Sequence, residues 1–160
     1  MSTRAEALAD RLEQGAQALA TLAESLSDAE WHLIVPNENR SIGVLIHHVA
    51  TVYPFEIAAA RALAAGKSIT GVTWASIDHG NAQHAQDHAV VDKQATLALL
   101  RQNSRAAADQ VRAFTDTELD CAAPVSLYGD APLTAQFAIE DHALRHGFHH
   151  LAAIRAVLNR

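Results

Sequence analysis

Apolar residues recur along this chain three, four or seven positions apart, which is the spacing of one face of a helix. Residues 2–26 carry leucines at this spacing and predict a single amphipathic helix with one buried stripe. The same periodicity returns in residues 41–65, 92–114 and 134–160. None of these segments alternates with the period of two that marks a half-buried strand, so we predict four long helices.

Single residues mark where these helices begin and end. Ser41, Asp92 and Thr134 each stand just before an apolar-periodic segment, where a side-chain oxygen can accept a hydrogen bond from an unpaired backbone N–H group. Gly66 follows the second helix and predicts its end. Pro54 lies inside that helix and predicts a kink, because proline lacks the N–H group that the helix needs.

The connections between the long helices are polar and irregular. Residues 36–39 predict a loop, and residues 66–91 predict a turn followed by a short polar helix at 74–88. Residues 116–129 predict a loop that ends in a turn at Tyr128-Gly129-Asp130. Amphipathic helices must bury their apolar faces against one another. We therefore predict an all-α protein, a helical bundle that forms one domain over residues 1–160.

Composition and charge exclude several functions. Acidic residues outnumber basic ones 18 to 12, and the chain contains no lysine- or arginine-rich run, so we expect no direct contact with nucleic acid. The single cysteine, Cys121, cannot form an internal disulfide and fits a reducing compartment. We see neither a signal peptide nor an apolar run of the roughly 18 to 20 residues that spans a membrane. We expect a soluble, cytoplasmic protein.

Four histidines within nine positions of the fourth helix form the main chemical signal. His142/His146 and His146/His150 are both spaced i, i+4, the spacing that lets two imidazoles bind one metal ion. The apolar face of this helix is defined by Phe137, Leu144, Phe148, Leu151 and Leu158. At 100° per residue, His150 and His146 lie about 80° and 120° from the centre of that face. His142 and His149 lie about 160° and 180° from it, on the solvent side. We therefore predict His146 and His150 as the metal-binding pair.

The second helix contains two adjacent histidines. His48 lies about 90° from the centre of the apolar face, whereas His47 lies about 170° from it. His48 can therefore enter the bundle, and His47 is predicted to face solvent. If the second and fourth helices are neighbours, His48, His146 and His150 converge. The simpler alternative is that each is a half-exposed, hydrogen-bonded histidine of the kind that helix flanks often carry.

Three further histidines lie in the polar connection at 74–88. His84 and His88 are again spaced i, i+4, but glutamine and aspartate surround them, so we predict a solvated face. The alternative is that His79, His84 or His88 supplies an additional ligand. Cys121 has no cationic neighbour in the sequence that would activate a thiolate, which argues against a nucleophilic role.

Two motifs resemble the DinB/YfiT-like superfamily. The segment Ser41-Ile42-Gly43-Val44-Leu45-Ile46-His47-His48-Val49-Ala50 is similar to the family motif that ends in a ligand histidine, which corresponds to His48. The segment His146-Gly147-Phe148-His149-His150-Leu151-Ala152-Ala153-Ile154 is similar to the family pattern His-x-x-x-His-Leu-x-x-Ile, which supplies two more ligands. Arg40 departs from the pattern, since many relatives have an aromatic residue there.

The resemblance implies a DinB-like four-helix bundle with a long crossover between helices two and three, often assembled as a homodimer. It also implies a divalent metal ion, commonly nickel or zinc, bound by His48, His146 and His150. Family members with known activities are thiol-dependent transferases and isomerases that use glutathione, mycothiol or bacillithiol.

Three functions are compatible with this site. The leading hypothesis is a thiol-dependent transferase or isomerase, in which the metal holds a low-molecular-weight thiol as a thiolate that attacks an electrophile. The second is a non-catalytic metal- or ligand-binding stress-response protein. The third is a metal-dependent hydrolase, in which the metal lowers the pKa of a bound water to about 7.

Overall fold

Helical structure forms in all four segments predicted as long helices, and the first three are regular α-helices. The computed structural model describes residues 2–160. In chain order the elements are α1 (Thr3–Ser25), α2 (Asp28–Trp31), β1 (Ile34–Val35), β2 (Arg40–Ser41), α3 (Ile42–Ala64), α4 (Trp74–Asp87), α5 (Lys93–Arg112), α6 (Asp116–Asp120), β3 (Ala122–Val125), a 3₁₀ turn (Ser126–Tyr128), β4 (Ala131–Thr134), α7 (Ala135–Ala138), a π-helical segment (Ile139–Leu144) and α8 (Arg145–Leu158).

The long helices pack as a bundle around one apolar core. Helix α5 packs against α1 and α3, while the α7–α8 stretch packs against the other sides of α1 and α3. The core is built mainly from leucine, isoleucine and alanine, and its largest fully buried side chains are Tyr53 and Phe114. This arrangement makes α3 and α8 neighbours, which is the condition that the predicted histidine cluster requires.

The predicted helix ends are confirmed. Ser41, Asp92 and Thr134 each accept a hydrogen bond from the backbone N–H group three residues later, at 3.3, 2.7 and 3.0 Å. Helix α3 ends at Ala64, and Gly66 adopts a left-handed φ of +69°, which glycine tolerates without a Cβ clash.

Two short antiparallel hairpins were not predicted. Strands β1 and β2 contain two residues each, and β3 and β4 contain four each. Such strands are too short for a period of two to be visible, and prolines stand opposite one another in the β3–β4 pair. The predicted turn at Tyr128-Gly129-Asp130 joins β3 to β4, with Gly129 and Asp130 both in the left-handed region. Helix α6 was predicted as loop, although Thr115 and Glu118 form its capping box.

The last helical stretch is not the regular helix that we predicted. Residues 139–144 are π-helical, with α-helix on either side. A π segment holds more residues per turn than an α-helix, so a single helical wheel misplaces residues on one side relative to the other. His146 and His150 both follow the π segment, and their i, i+4 relation is therefore intact.

By length and composition alone, helix α3 is long and apolar enough to cross a membrane. In the described residues, 56% of its most apolar window is buried inside the protein. This burial is typical of the core helix of a bundle.

Helix α4 differs from α3 in its burial: it lies in the connection between α3 and α5, and none of its residues is buried.

Candidate metal centre

The three histidines predicted as ligands meet in the core of the bundle. His48 comes from α3, and His146 and His150 come from successive turns of α8. One ring nitrogen of each lies within 4.8 Å of the others. His48 and His150 are only 6% and 4% exposed. The structure thus places the predicted residues together; their role as ligands stays a prediction.

The chemistry of these side chains fits a divalent metal. Burial, followed by the charge of His146, lowers the pKa of both His48 and His150 to about 2. Both imidazoles are therefore neutral at neutral pH, which is the form that binds metals. The Nδ1 atom of His150 is buried and has no hydrogen-bond partner, an arrangement that costs free energy unless something satisfies it. Neutral imidazoles suit zinc and nickel.

Glu56 contacts this cluster and was not among the residues predicted from the sequence. Its Oε1 atom accepts a hydrogen bond from Nδ1 of His146 at 2.8 Å, and its side chain is 12% exposed. A carboxylate in this position fixes the ring orientation and tautomer of the histidine, and leaves Nε2 of His146 for the metal. The signal was present in the sequence, because Glu56 is the lone carboxylate of the apolar helix α3 and lies two turns after His48.

A cavity of about 420 Å³ opens beside the histidines, large enough for a small molecule. His48, Glu56 and His146 line it. Its walls are mostly apolar and come from α3, the α3–α4 connection, α4, the β3–β4 hairpin and α7; they include Val52, Leu63, Ile69, Trp74, Leu127 and Phe137. A second, larger depression between α1, α5 and α8 contains none of these histidines.

Polar groups from the π segment and the hairpin also line the cavity. The hydroxyl of Tyr128 donates to Asp141 at 2.6 Å and lies 3.3 Å from Nε2 of His142. Burial, then the bond to Asp141, raises the pKa of Tyr128 to about 12. Arg145 donates to Asp141 at 3.1 Å. The prediction that His142 faces solvent is wrong, because the hairpin covers that side of the helix and leaves the histidine half-buried.

A second group of three histidines lies on the other side of α3. His47, His84 and His88 have one ring nitrogen each within 4.8 Å of the others. Nδ1 of His47 and Nε2 of His84 are hydrogen-bonded at 2.9 Å. Burial lowers the pKa of His84 to about 4 and also lowers that of His47. The predicted solvent-facing position of His47 and the solvated face of His84 and His88 are therefore wrong.

The reason is tertiary: α4 folds back over the face of α3 that carries His47, and a wheel of α3 alone cannot show this cover. His79, by contrast, is exposed.

Phe148 was placed on the buried side of its helix but is 40% exposed, with its ring against Gly15. Cys121 is half-buried at the end of α6 and does not line the cavity beside His48.

A third grouping, Glu38 with His149 and His150, shares a member with the first. It is a weaker candidate for two reasons. His149 is exposed, and Glu38 already pairs with the guanidinium of Arg40. Arg40 is 7% exposed, and its charge helps to keep the pKa of His48 and of His150 low. In this chain a buried arginine, paired with the partly exposed Glu38, thus stands where the family resemblance leads us to expect an aromatic residue.

The helical bundle and its histidine cluster define a class of protein, a DinB-like four-helix bundle. A model of the DinB superfamily matches residues 11–154, and the chain therefore belongs to this superfamily. YfiT from Bacillus subtilis, described as a probable metal-dependent hydrolase with an unusual four-helix bundle topology, has a similar fold. The comparison gives a TM-score of 0.79 at 16% identity and covers 100% of this chain and 89% of YfiT. No curated protein sequence is significantly similar to this chain.

Proposed function

We propose that this protein is a divalent-metal-dependent enzyme that activates a small-molecule thiol and transfers it to an electrophile. One observation carries the proposal: His48 and His146 lie both in a buried cluster of three histidines and in the lining of an apolar-walled cavity. A structural metal site is normally closed by four protein ligands, whereas a catalytic site has three and keeps a position open toward substrate.

The side chains of the site have separable roles. His48, His146 and His150 would hold the ion, and Glu56 orients the ring of His146 through their hydrogen bond. When bound, a divalent ion supplies Lewis acidity, which lowers the pKa of a thiol or water and gives a nucleophile at neutral pH. The neutral state of His48 and His150 keeps the ligand set ready without prior loss of a proton.

The cavity would bind the reactants. Its apolar walls exclude water and fit the carbon skeleton of an electrophile. Arg145 lines the same cavity with a side chain that is 57% exposed, where it can pair with the carboxylate that small cellular thiols carry. The hydroxyl of Tyr128 donates its one proton to Asp141, so toward a ligand in the cavity it can act as a hydrogen-bond acceptor.

Metal-dependent hydrolysis is the second candidate, because YfiT, which shares the fold, is described as a probable metal-dependent hydrolase. Both functions need the same ion and cavity and differ in the nucleophile. A non-catalytic metal-binding protein needs the ion alone. A homodimer, expected from the family resemblance, stays a prediction.

One experiment separates these functions. The purified protein is freed of metal, reloaded with Zn²⁺ or Ni²⁺, and incubated with electrophiles with and without glutathione, mycothiol or bacillithiol. We expect turnover that needs both metal and thiol in the wild type, and loss of turnover in His146→Ala. His79→Ala removes an exposed histidine outside the cluster and is the matched control, in which turnover should be unchanged.

Other outcomes decide against the transferase. Turnover of esters or lactones that needs metal but no thiol would identify a hydrolase. Stoichiometric metal without any turnover would identify a binding protein. If the protein takes up no metal, or if His146→Ala takes up as much as the wild type, the proposed centre at His48, His146 and His150 is wrong.

A further inference from the structure

Helix α4 forms part of the cavity wall but is weakly attached to the protein. None of its 14 residues is buried. Trp74, Ile77 and Asn81 from its N-terminal half line the cavity. That half is anchored nearby by the hydroxyl of Ser126, which donates to the carbonyl of Val72 and accepts from its N–H group at 2.8 and 3.0 Å. A helix with so little apolar burial needs another attachment at its far end.

The far end meets α3 through histidines. In the described residues, the bond between His47 and His84 is the one side-chain hydrogen bond that joins α4 to α3. The His88 ring stands 4.4 Å from that of His47 and 4.8 Å from that of His84, yet it forms no hydrogen bond with either. Nδ1 of His84 is buried and also has no partner. A hydrogen-bonded histidine pair therefore accounts for only part of this cluster.

We propose that His47, His84 and His88 form a second divalent-metal site, which fastens the C-terminal half of α4 to α3. The site is distinct from the centre of His48, His146 and His150 and shares no ligand with it. The cation that fits is one that prefers imidazole, such as zinc or nickel.

The geometry is close to that of a bound site. His84 lies in the last turn of α4, His88 caps the end of that helix four residues later, and His47 faces them from α3. Two ligands of a tetrahedral zinc ion, each about 2.0–2.1 Å from the metal, lie about 3.3 Å apart. The 2.9 Å between the nitrogens of His47 and His84 is a few tenths of an ångström shorter, so an ion can replace the hydrogen bond after a small rotation of the rings.

Charges of both signs surround the site. His88 is the residue at the C-terminal end of α4, where unpaired carbonyl groups give the helix a partial negative charge. Asp87 also acts on His84 as a negative charge, whereas the guanidinium of Arg40 acts on it more strongly as a positive charge. The three imidazoles, rather than the surrounding charge, therefore favour a cation. The three rings are half-buried, so a fourth coordination position is accessible to water.

The two sites are neighbours, because the ring centres of His48 and His84 are 5.4 Å apart. A metal at the second site would hold α4 in place and so complete the wall of the cavity. The second ion thus acts on access to the first centre without contacting the substrate.

Metal stoichiometry tests the proposal directly. The metal-free full-length protein is titrated with Zn²⁺ by calorimetry, and bound zinc is counted after gel filtration. We expect two ions per chain in the wild type and in His79→Ala, the control on the same helix. We expect one in His84→Ala and one in His88→Ala. These two residues lie on an exposed helix, and circular dichroism should show an unchanged fold.

Three results separate the two sites. One ion per chain in the wild type, retained in His84→Ala, overturns the second site. Two ions retained in both His84→Ala and His88→Ala overturn it as well. If His84→Ala loses one ion while His146→Ala loses none, the second site holds and the centre assigned under the proposed function fails.

Amide hydrogen exchange tests the fastening of α4. If α4 can detach from α3 only after the ion is released, amide exchange in residues 74–88 slows by up to about a hundredfold at a zinc concentration 100 times the Kd of the second site. His84→Ala should abolish this slowing, and His79→Ala should retain it. If zinc leaves exchange in residues 74–88 unchanged in the wild type, the ion does not hold α4, and this part of the proposal is wrong.

Discussion

Glu56 provides the sharpest test of the first centre. The substitution Glu56→Gln keeps the size of the side chain but removes the negative charge that accepts from His146. Loss of a carboxylate behind a metal-binding histidine typically lowers metal affinity 10- to 100-fold. This range corresponds to about 1.4–2.7 kcal/mol. We expect the upper part of the range, because Glu56 is only 12% exposed and solvent screens the pair poorly.

The assay is a competition titration of metal-free protein with Zn²⁺ against a chromogenic chelator. Glu140→Gln is the matched control, because it removes a carboxylate charge in the same way from the π segment next to α8. The Glu140 side chain is 40% exposed and pairs with Arg11, not with a histidine of the cluster. The control should change the affinity by less than twofold. If Glu56→Gln binds zinc within twofold of the wild type while stoichiometry is maintained, Glu56 does not support a metal ligand and the assignment of His146 loses its main structural argument.

Three further predictions concern stability, measured by urea unfolding of the metal-free protein. Burial holds the pKa of His48 and of His150 at about 2, below the 6.5 of an unfolded chain, so the unfolded state binds more protons below pH 6.5. These two histidines should therefore lower the free energy of unfolding by about 2–3 kcal/mol from pH 7.5 to 5.5, and His84, whose pKa is lowered to about 4, adds to the fall; a flat profile would contradict this. Gly43→Ala should cost about 1–3 kcal/mol, because its Cβ would clash with the Trp31 ring; an unchanged midpoint would refute the clash. Tyr128→Phe should cost about 1 kcal/mol through loss of its bond to a carboxylate, and no change would show that water replaces that bond.

The elements that could be predicted from the sequence are those whose signal is local. Ser41 and Asp92 are recognisable as caps because a cap acts on the backbone three residues away. His146 and His150 are recognisable as a pair because one turn of one helix relates them. His48 is distant in the chain, and helical angle together with the family motif was sufficient to select it.

The wrong or missing predictions concern side chains whose surroundings depend on segments far apart in the chain or on a local change of helix type. The sequence shows that α4 is polar, but not that it covers His47. The wheel of the last helix placed Phe148 inside because it extended one α-helical period across the π segment. Glu56 stands out in the sequence as the lone carboxylate of an apolar helix, but its partner His146 lies on α8 and is recognised only when the two helices are placed side by side.

The adjacent residues His47 and His48 show how one turn of α3 can serve two sites. Neighbouring residues on a helix point about 100° apart, so His48 turns toward α8 while His47 turns toward α4. Since α3 is neighbour to both helices, each histidine meets an i, i+4 pair there: His146 and His150 in one direction, His84 and His88 in the other. The two i, i+4 histidine pairs therefore have the same relation to α3: each pair lies on a segment that packs beside one of its two adjacent histidines. The family motif selects His48 and so explains only the pair His146 and His150. The pair His84 and His88 is explained by His47, which lies on the surface of α3 that α4 covers.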